Sequence, residues 1–248
     1  MINKLTSILF LTASLFSISL SAQVQDSVQV RYKPKVTAFV PGALAVTYGF
    51  VALNTNILRK FDNYLYEEAN EHHPGYRTKV DDYMRYAPAA AVYALDLFGV
   101  KGKHNFKDKS ALFLLSSVLT NGSVLILKKS SNRMRPNRLN DYSFPSGHTA
   151  SAFAYAEYLS QEYGDQSIWY TVGGYGAAGA TAVLRIYKNY HWFSDVIAGA
   201  GMGILSTKFA YLIYPSLKKM VLKNKKSDMV VLPVYQNGGP GLVISGKF

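Results

Sequence analysis

An all-α fold is what this sequence predicts: a polytopic membrane helical bundle of about six helices with a short C-terminal β-hairpin. Three observations carry that expectation. Hydrophobic residues make up 49% of the 248 and charged residues 17%, a low charge content for a water-exposed globule. The apolar residues fall into runs at 36–53, 86–100, 110–127, 147–163, 168–187 and 193–214, long enough for helices and in several cases for spans. Near the C-terminus, two β-like stretches at 229–235 and 241–245 flank Asn237-Gly238-Gly239-Pro240, which reads as a hairpin.

Composition narrows the partners. The formal net charge is +12 and there is no cysteine, so disulfides and thiolate metal sites are excluded. The basic residues are not interleaved with aromatics in a nucleic-acid module, so a bilayer and an anionic lipid or phosphate are the expected partners, not nucleic acid. Oligomeric state has no signature in the sequence.

Taken in order, Met1–Lys4 is short and basic, the next sixteen residues are apolar, and Ser21-Ala22-Gln23 offers a small-residue cleavage site. Residues 1–22 read as a signal peptide, and 23–35 as a polar lead-in stopped by Pro34. Residues 36–216 form the expected helical domain, and 217–248 a basic tail and hairpin. The polar stretch 54–85 reads as a helix, a turn at Pro74-Gly75 and a second helix start. Its His72-His73 lacks companions at metal-ligand spacing and is expected to be a solvated pair. Asp96 interrupts the run 86–100 and is assigned a structural or peripheral role. On 147–163, Ala, Tyr and Phe occupy one side and Glu157 and Gln161 lie elsewhere. The last two helices are rich in glycine; Gly199 and Gly203 share a face, which lets helix backbones approach closely in lipid.

Three polar clusters stand between these runs. Lys128 and Arg135 are seven residues apart, two turns if helical, so one face could carry both; Arg supplies a planar fork for phosphate oxygens and Lys a point charge. Pro145-Ser146-Gly147-His148 immediately precedes a helix, whose free N–H groups make an anion site. Ser146 can cap that helix or donate to a phosphate oxygen, and Gly147 lets an oxyanion near the backbone. Arg185, His191 and Asp195 form the third cluster; a carboxylate four residues after a histidine can fix its tautomer and leave the other nitrogen as nucleophile. A basic membrane anchor, a plain helix cap and a helix-start His–Asp contact would explain each cluster singly. Together they match what gripping and attacking a phosphate requires.

Lys128, six residues, Arg135-Pro136, then Pro145-Ser146-Gly147-His148, then Arg185, five residues, His191, three residues and Asp195 resemble the signature of the type 2 phosphatidic acid phosphatase family. One position departs from it: Leu184 stands where the family usually has Ser before the third-cluster Arg. The resemblance implies an α-helical phosphatase that needs no metal or other cofactor. It implies that His191 attacks phosphorus and forms a phosphohistidine, that Asp195 orients His191, and that His148 protonates the leaving oxygen. Lys128, Arg135 and Arg185, with Ser146 and the Gly147 backbone, would hold the phosphate oxygens, with fixed cations in the part a magnesium ion plays elsewhere.

The apolar helices point to a phosphorylated lipid, and the export signal with the overall look of the chain to a Gram-negative envelope. The family-level expectation is lipid A (a 4′- or 1-phosphatase), with undecaprenyl diphosphate, phosphatidylglycerophosphate and phosphatidic acid as alternatives. A soluble periplasmic acid phosphatase of the same family, a vanadate-dependent haloperoxidase and a non-enzymatic lipid-binding or transport module are the rival classes. The expected location is the inner membrane with the site facing the periplasm. After a cleaved signal, that orientation requires one weak run, 86–100, not to cross.

Overall fold

The computed structural model describes residues 35–224, 230–236 and 239–245. The expected signal peptide 1–22, all but the last residue of the lead-in 23–35, and parts of the basic tail lie outside the described residues. A 3-10 turn, Val36–Phe39, leads into eight α-helices: α1 Val40–Asn54, α2 Asn56–His72, α3 Val80–Met84, α4 Ala87–Leu97, α5 Phe106–Ser131, α6 Gly147–Tyr163, α7 Ile168–Tyr187 and α8 Phe193–Asn224.

Two features of the expected fold class are corrected. The described bundle has eight helices rather than about six, because the polar stretch 54–85 contributes α2 and α3 in addition to the six apolar runs. The fold class is also corrected to all-helical: among the described residues no strand belongs to the bundle. The segments Val230–Gln236 and Gly239–Ser245 are extended and pair antiparallel with each other, Val230 opposite Ser245, but add no layer to the helices.

Helix α6 is the centre. It packs on α8, α7, α5 and α4, and neighbours on every side demand small residues. Ala150, Ala152, Ala154 and Ala156 are accordingly fully buried. The same enclosure explains why Glu157 is not on a polar side. It is buried, and accepts from Lys208 Nζ at 2.6 Å and from the Tyr175 hydroxyl. Toward the α6 C-terminus, Tyr158, Leu159 and Tyr163 form the apolar core with Val92, Leu112 and Tyr211. Asp96 has the structural role expected of it, since Lys109 Nζ meets its carboxylate at 2.8 Å. Helix α8 runs on past Pro215 to Asn224, and Lys218 on that extension bonds Asp108 of α5 at 2.8 Å.

The shared glycine face on α8 is where α6 comes closest. A Cβ at Gly199 would sit 2.5 Å from the Ser146 carbonyl oxygen, and one at Gly203 only 2.2 Å from that of Ala150. Backbone cannot yield as a side chain does. Gly203→Ala is therefore expected to force α6 off α8 and cost about 1–3 kcal/mol, read as a lower melting temperature in detergent. The glycines of α7 differ: only Gly174 approaches α6, while Gly173, Gly176 and Gly179 would accept a Cβ with nothing within 4 Å.

Three segments, Val36–Asn54, Phe106–Ser131 and Phe193–Val221, are long and apolar enough to cross a membrane by length and composition. Helix α4 has 11 residues, about 16 Å at 1.5 Å per residue, against a hydrocarbon core of about 30 Å. The weak run at 86–100 therefore does not form a spanning helix.

Candidate active site

The three polar clusters meet at one end of the bundle, around the N-terminus of α6. Helix α5 delivers Lys128 in its last turn and stops at Asn132, whose left-handed backbone (φ 45°) turns the chain away. Asn is among the few residues that take this conformation readily. Lys128 and Arg135 thus do not share a helix face, as two turns of one helix would have it; Arg135 lies in the following loop. Lys128 Nζ donates to the Tyr142 carbonyl at 2.6 Å.

Ser146 acts as the cap. Its hydroxyl lies 2.9 Å from that of Thr149 and accepts from the Thr149 N–H at 3.5 Å, and the side chain is fully buried. A backbone bond from Ser146 N to the Asp195 carbonyl, 2.9 Å, ties the second cluster to the third. Gly147 has Val124 and Lys128 as its nearest neighbours, and a Cβ there would meet them at ordinary contact distances of 3.6 and 3.8 Å. Packing does not require the glycine.

His191, just ahead of α8, is 2% exposed. Its Nδ1 is 3.9 Å from Asp195 Oδ2 and has no hydrogen-bond partner among the described residues. The pair is adjacent, as the spacing implies, but beyond hydrogen-bonding distance. Asp195 is instead occupied by others: the Ser143 hydroxyl and Trp192 N–H donate to Oδ2, and Arg133 Nη1 to Oδ1 at 2.6 Å. Burial pushes the His191 imidazole down to about 3, against the Asp195 carboxylate, which favours the cation; Lys128 and Arg185 add to the depression. With burial and the charges of Lys128 and Arg185 disfavouring its cation, the imidazole is held neutral.

Arg133 is the residue that sequence reasoning missed. It bridges two buried acids, donating from Nη2 to Asp62 at 2.6 Å and from Nη1 to Asp195. Asp62, on α2, also accepts from Ser194 N at 2.9 Å and from its hydroxyl. The only signal was an extra arginine two residues before Arg135 in a loop already rich in cations.

His148 opens α6 and lines a cleft of roughly 760 Å³, together with Arg185. Its Nε2 meets Asp82 Oδ1 at 2.8 Å, and Asp82, on α3, was not foreseen either. Burial, with Arg185 and Arg85 nearby, pushes His148 down to about 4; Asp82 opposes that. Arg185, in the last turn of α7, donates to Asp81 Oδ2 at 2.7 Å, while Lys188 takes Oδ1 at 2.7 Å. Burial works against the Asp81 charge, yet these two cations hold its carboxyl below the usual range. Asp81, Asp82 and His148 have ligating atoms within 4.8 Å of one another, but both Asp81 oxygens are already engaged by cations of the chain. Tyr190 gathers the remainder: its ring faces the Arg185 guanidinium at 4.4 Å, Lys188 Nζ at 5.0 Å and the Arg135 guanidinium at 5.9 Å. The Nε atoms of Arg135 and Arg185 are buried without hydrogen-bond partners.

Lys128, Arg135, Arg185, His148, His191 and Asp195 are thus brought together, with Ser146 behind them as a cap. The arrangement has clustered cations, a neutral buried imidazole and a second imidazole on an open cleft.

Residues 110–219 match the PAP2 superfamily. Over 139 residues the chain is 40% identical to the lipid A 1-phosphatase of Porphyromonas gingivalis, covering 56% of this chain and 31% of that protein. Over 129 residues it is 27% identical to the lipid A 4′-phosphatase of the same organism, covering 43% of this chain and 53% of that one. The matches span about a third and about a half of those relatives' lengths. A transmembrane PAP2 type phosphatidylglycerolphosphate phosphatase from Bacillus subtilis aligns in structure with a TM-score of 0.49 at 19% identity, covering 75% of this chain and 96% of that one.

Proposed function

We propose, from the match of residues 110–219 to the PAP2 superfamily and the site geometry, that this chain is a metal-independent lipid phosphatase acting through a phosphohistidine at His191. The observation that carries the reading is the convergence of the three clusters: Lys128 and Arg185 act on a buried neutral His191, and Arg185 and His148 line one cleft.

In the first step the free nitrogen of His191 attacks phosphorus and the P–O bond to the lipid breaks. Lys128, Arg135 and Arg185, with the Gly147 backbone N–H, neutralise the phosphoryl oxygens as charge shifts onto them. His148 delivers a proton to the leaving oxygen. In the second step His148 takes a proton from water, which attacks phosphorus, breaks the N–P bond and frees phosphate. Asp195, fixed by Arg133, Ser143 and Trp192, stabilises the cationic imidazole. Ser146 serves by shaping the helix start.

The substrate we favour is lipid A at its 1- or 4′-phosphate, because the two relatives named above are a lipid A 1-phosphatase and a lipid A 4′-phosphatase. The alternatives are undecaprenyl diphosphate and phosphatidylglycerophosphate. The site is placed on the periplasmic face of an inner membrane, an orientation compatible with an α4 too short to cross. The test is phosphate release from each lipid by detergent-purified protein in EDTA. Release from a lipid A phosphate is the expected result; dependence on added divalent metal would overturn the metal-free mechanism.

The histidine environments set a pH dependence. With His148 titrating at about 4 in the free protein, it is neutral at pH 7 and can donate only a proton that the substrate brings. A monoester monoanion carries one, and its second ionisation lies near 6. The value of kcat/KM should therefore be greatest between pH 4 and 6, falling about tenfold per pH unit above about pH 6 as that proton is lost. It falls again below about 4, where His148 is already charged before substrate binds. His148→Ala should slow a lipid phosphate by about 10²–10⁴-fold but an aryl phosphate, whose leaving group needs no proton, far less. Equal slowing of both would remove His148 as the acid.

A further inference from the structure

The cleft on which His148 and Arg185 open extends well past them. At roughly 760 Å³ it is of a size that encloses a drug-sized organic ligand, not one phosphate. Its outer wall is the segment 75–79 between α2 and α3, which brings Arg77 and Lys79 to the lining. Both are exposed, and neither has an ion-pair partner among the described residues. Thr78, Asn137, Lys188 and Tyr190 also line it, and Asp82, already held by His148, is the one acid on the lining.

A general acid stands beside the oxygen that leaves. Once His148 is that acid, whatever occupies the cleft beyond it is the leaving alcohol and the group it carries. His191 is 2% exposed and does not line this cleft. A bare isoprenoid or diacylglycerol alcohol would place little polar or charged matter there, leaving Arg77, Lys79 and the amide of Asn137 facing nothing they recognise.

We propose that Arg77, Lys79 and Lys188 form a headgroup subsite for a second phosphate, carried on the sugar of a phosphoglycolipid whose first phosphate is hydrolysed. Thr78 and Asn137 offer hydrogen bonds to the sugar hydroxyls. Lys188 is half of the link to the reacting site, since Asp81 holds it beside Arg185. This subsite rests on the phosphatase reading given above, because it uses His148 to place the leaving group.

The experiment compares kcat/KM for a bis-phosphorylated disaccharide lipid and for the same lipid with one phosphate, in mixed micelles. The wild-type protein is expected to prefer the first by about tenfold. Arg77→Ala/Lys79→Ala should cut that preference to within about threefold, and so should raising salt from about 50 to about 500 mM in the wild type. The double variant touches only exposed side chains, and its melting temperature shows that it folds. Retention of the full preference by the folded double variant, or its absence in the wild type, would overturn the subsite. Release of no phosphate from either lipid by folded wild-type protein would instead remove the phosphatase reading, and the subsite with it.

Discussion

Replacing Arg133 with Met is expected to destabilise the protein more than any other single change near the site. Asp62 and Asp195 are 2% and 0% exposed, and Arg133 donates to both at 2.6 Å. Removing one member of a buried ionic network leaves the others uncompensated, at about 3–5 kcal/mol. For a chain of this size that is a fall in melting temperature of roughly 6–20 °C. The cost arises from the stranded carboxylates rather than from lost packing, since Met keeps much of the arginine stem. Arg133→Met/Asp62→Asn should therefore recover part of the loss, because one of the two charges is gone. Thermal unfolding in detergent, followed by tryptophan fluorescence, reads both variants. A double variant no more stable than the single one would mean that the arginine acts by shape alone.

His191→Ala has the largest expected effect on turnover, about 10⁴-fold or more, because the nucleophile has no substitute in the site. His148 is the other imidazole, but Asp82 holds its Nε2 and it lies on the open cleft rather than behind the cations. The loss should appear in kcat for aryl and lipid phosphates alike, in contrast to His148→Ala, whose effect depends on the leaving group. Retention of more than about a hundredth of wild-type kcat by the His191→Ala protein would move the nucleophile elsewhere.

Much of this was legible in the sequence because the informative residues sit where periodicity breaks. Apolar runs marked the helices, and Lys128, His148, Arg185 and His191 stood at their ends, where chemistry is concentrated. The glycine face of α8 was visible from a four-residue spacing alone. What could not be read was whatever depends on long-range partnering. Asp62, Asp81 and Asp82 lie in a polar stretch that looks like any solvated helix pair. Only the fold brings α2 against the start of α8, where Asp62 bonds Ser194 and Arg133, and α3 against α6 and α7, where Asp81 and Asp82 engage Arg185, Lys188 and His148. Likewise the burial of Glu157, which lies off the Ala, Tyr and Phe side, could not be read, because a helix pattern does not say how many neighbours surround it. The helix count came out low for a different reason: it was taken from the apolar runs alone and left out the helix and second helix start read in 54–85, which are α2 and α3.

The arrangement around Asp195 refines the role given to it. Its oxygens are taken by Arg133, Ser143 and the Trp192 N–H, and His191 is 3.9 Å away. The carboxylate is therefore fixed in advance, at a distance where it interacts strongly with a His191 that has become cationic and weakly with a neutral one. That is the differential a nucleophilic histidine needs, because stabilisation counts only where charge develops.

The central claim, a covalent phosphohistidine at residue 191, is tested most directly by rapid acid-free quenching of the protein with a ³²P-labelled lipid phosphate and mapping of the labelled peptide. The account predicts label on the peptide containing His191, lost in acid and stable in alkali, and absent from the His191→Ala protein. No protein-bound label during turnover, together with inversion at a chiral phosphorus, would show direct attack by water and contradict it.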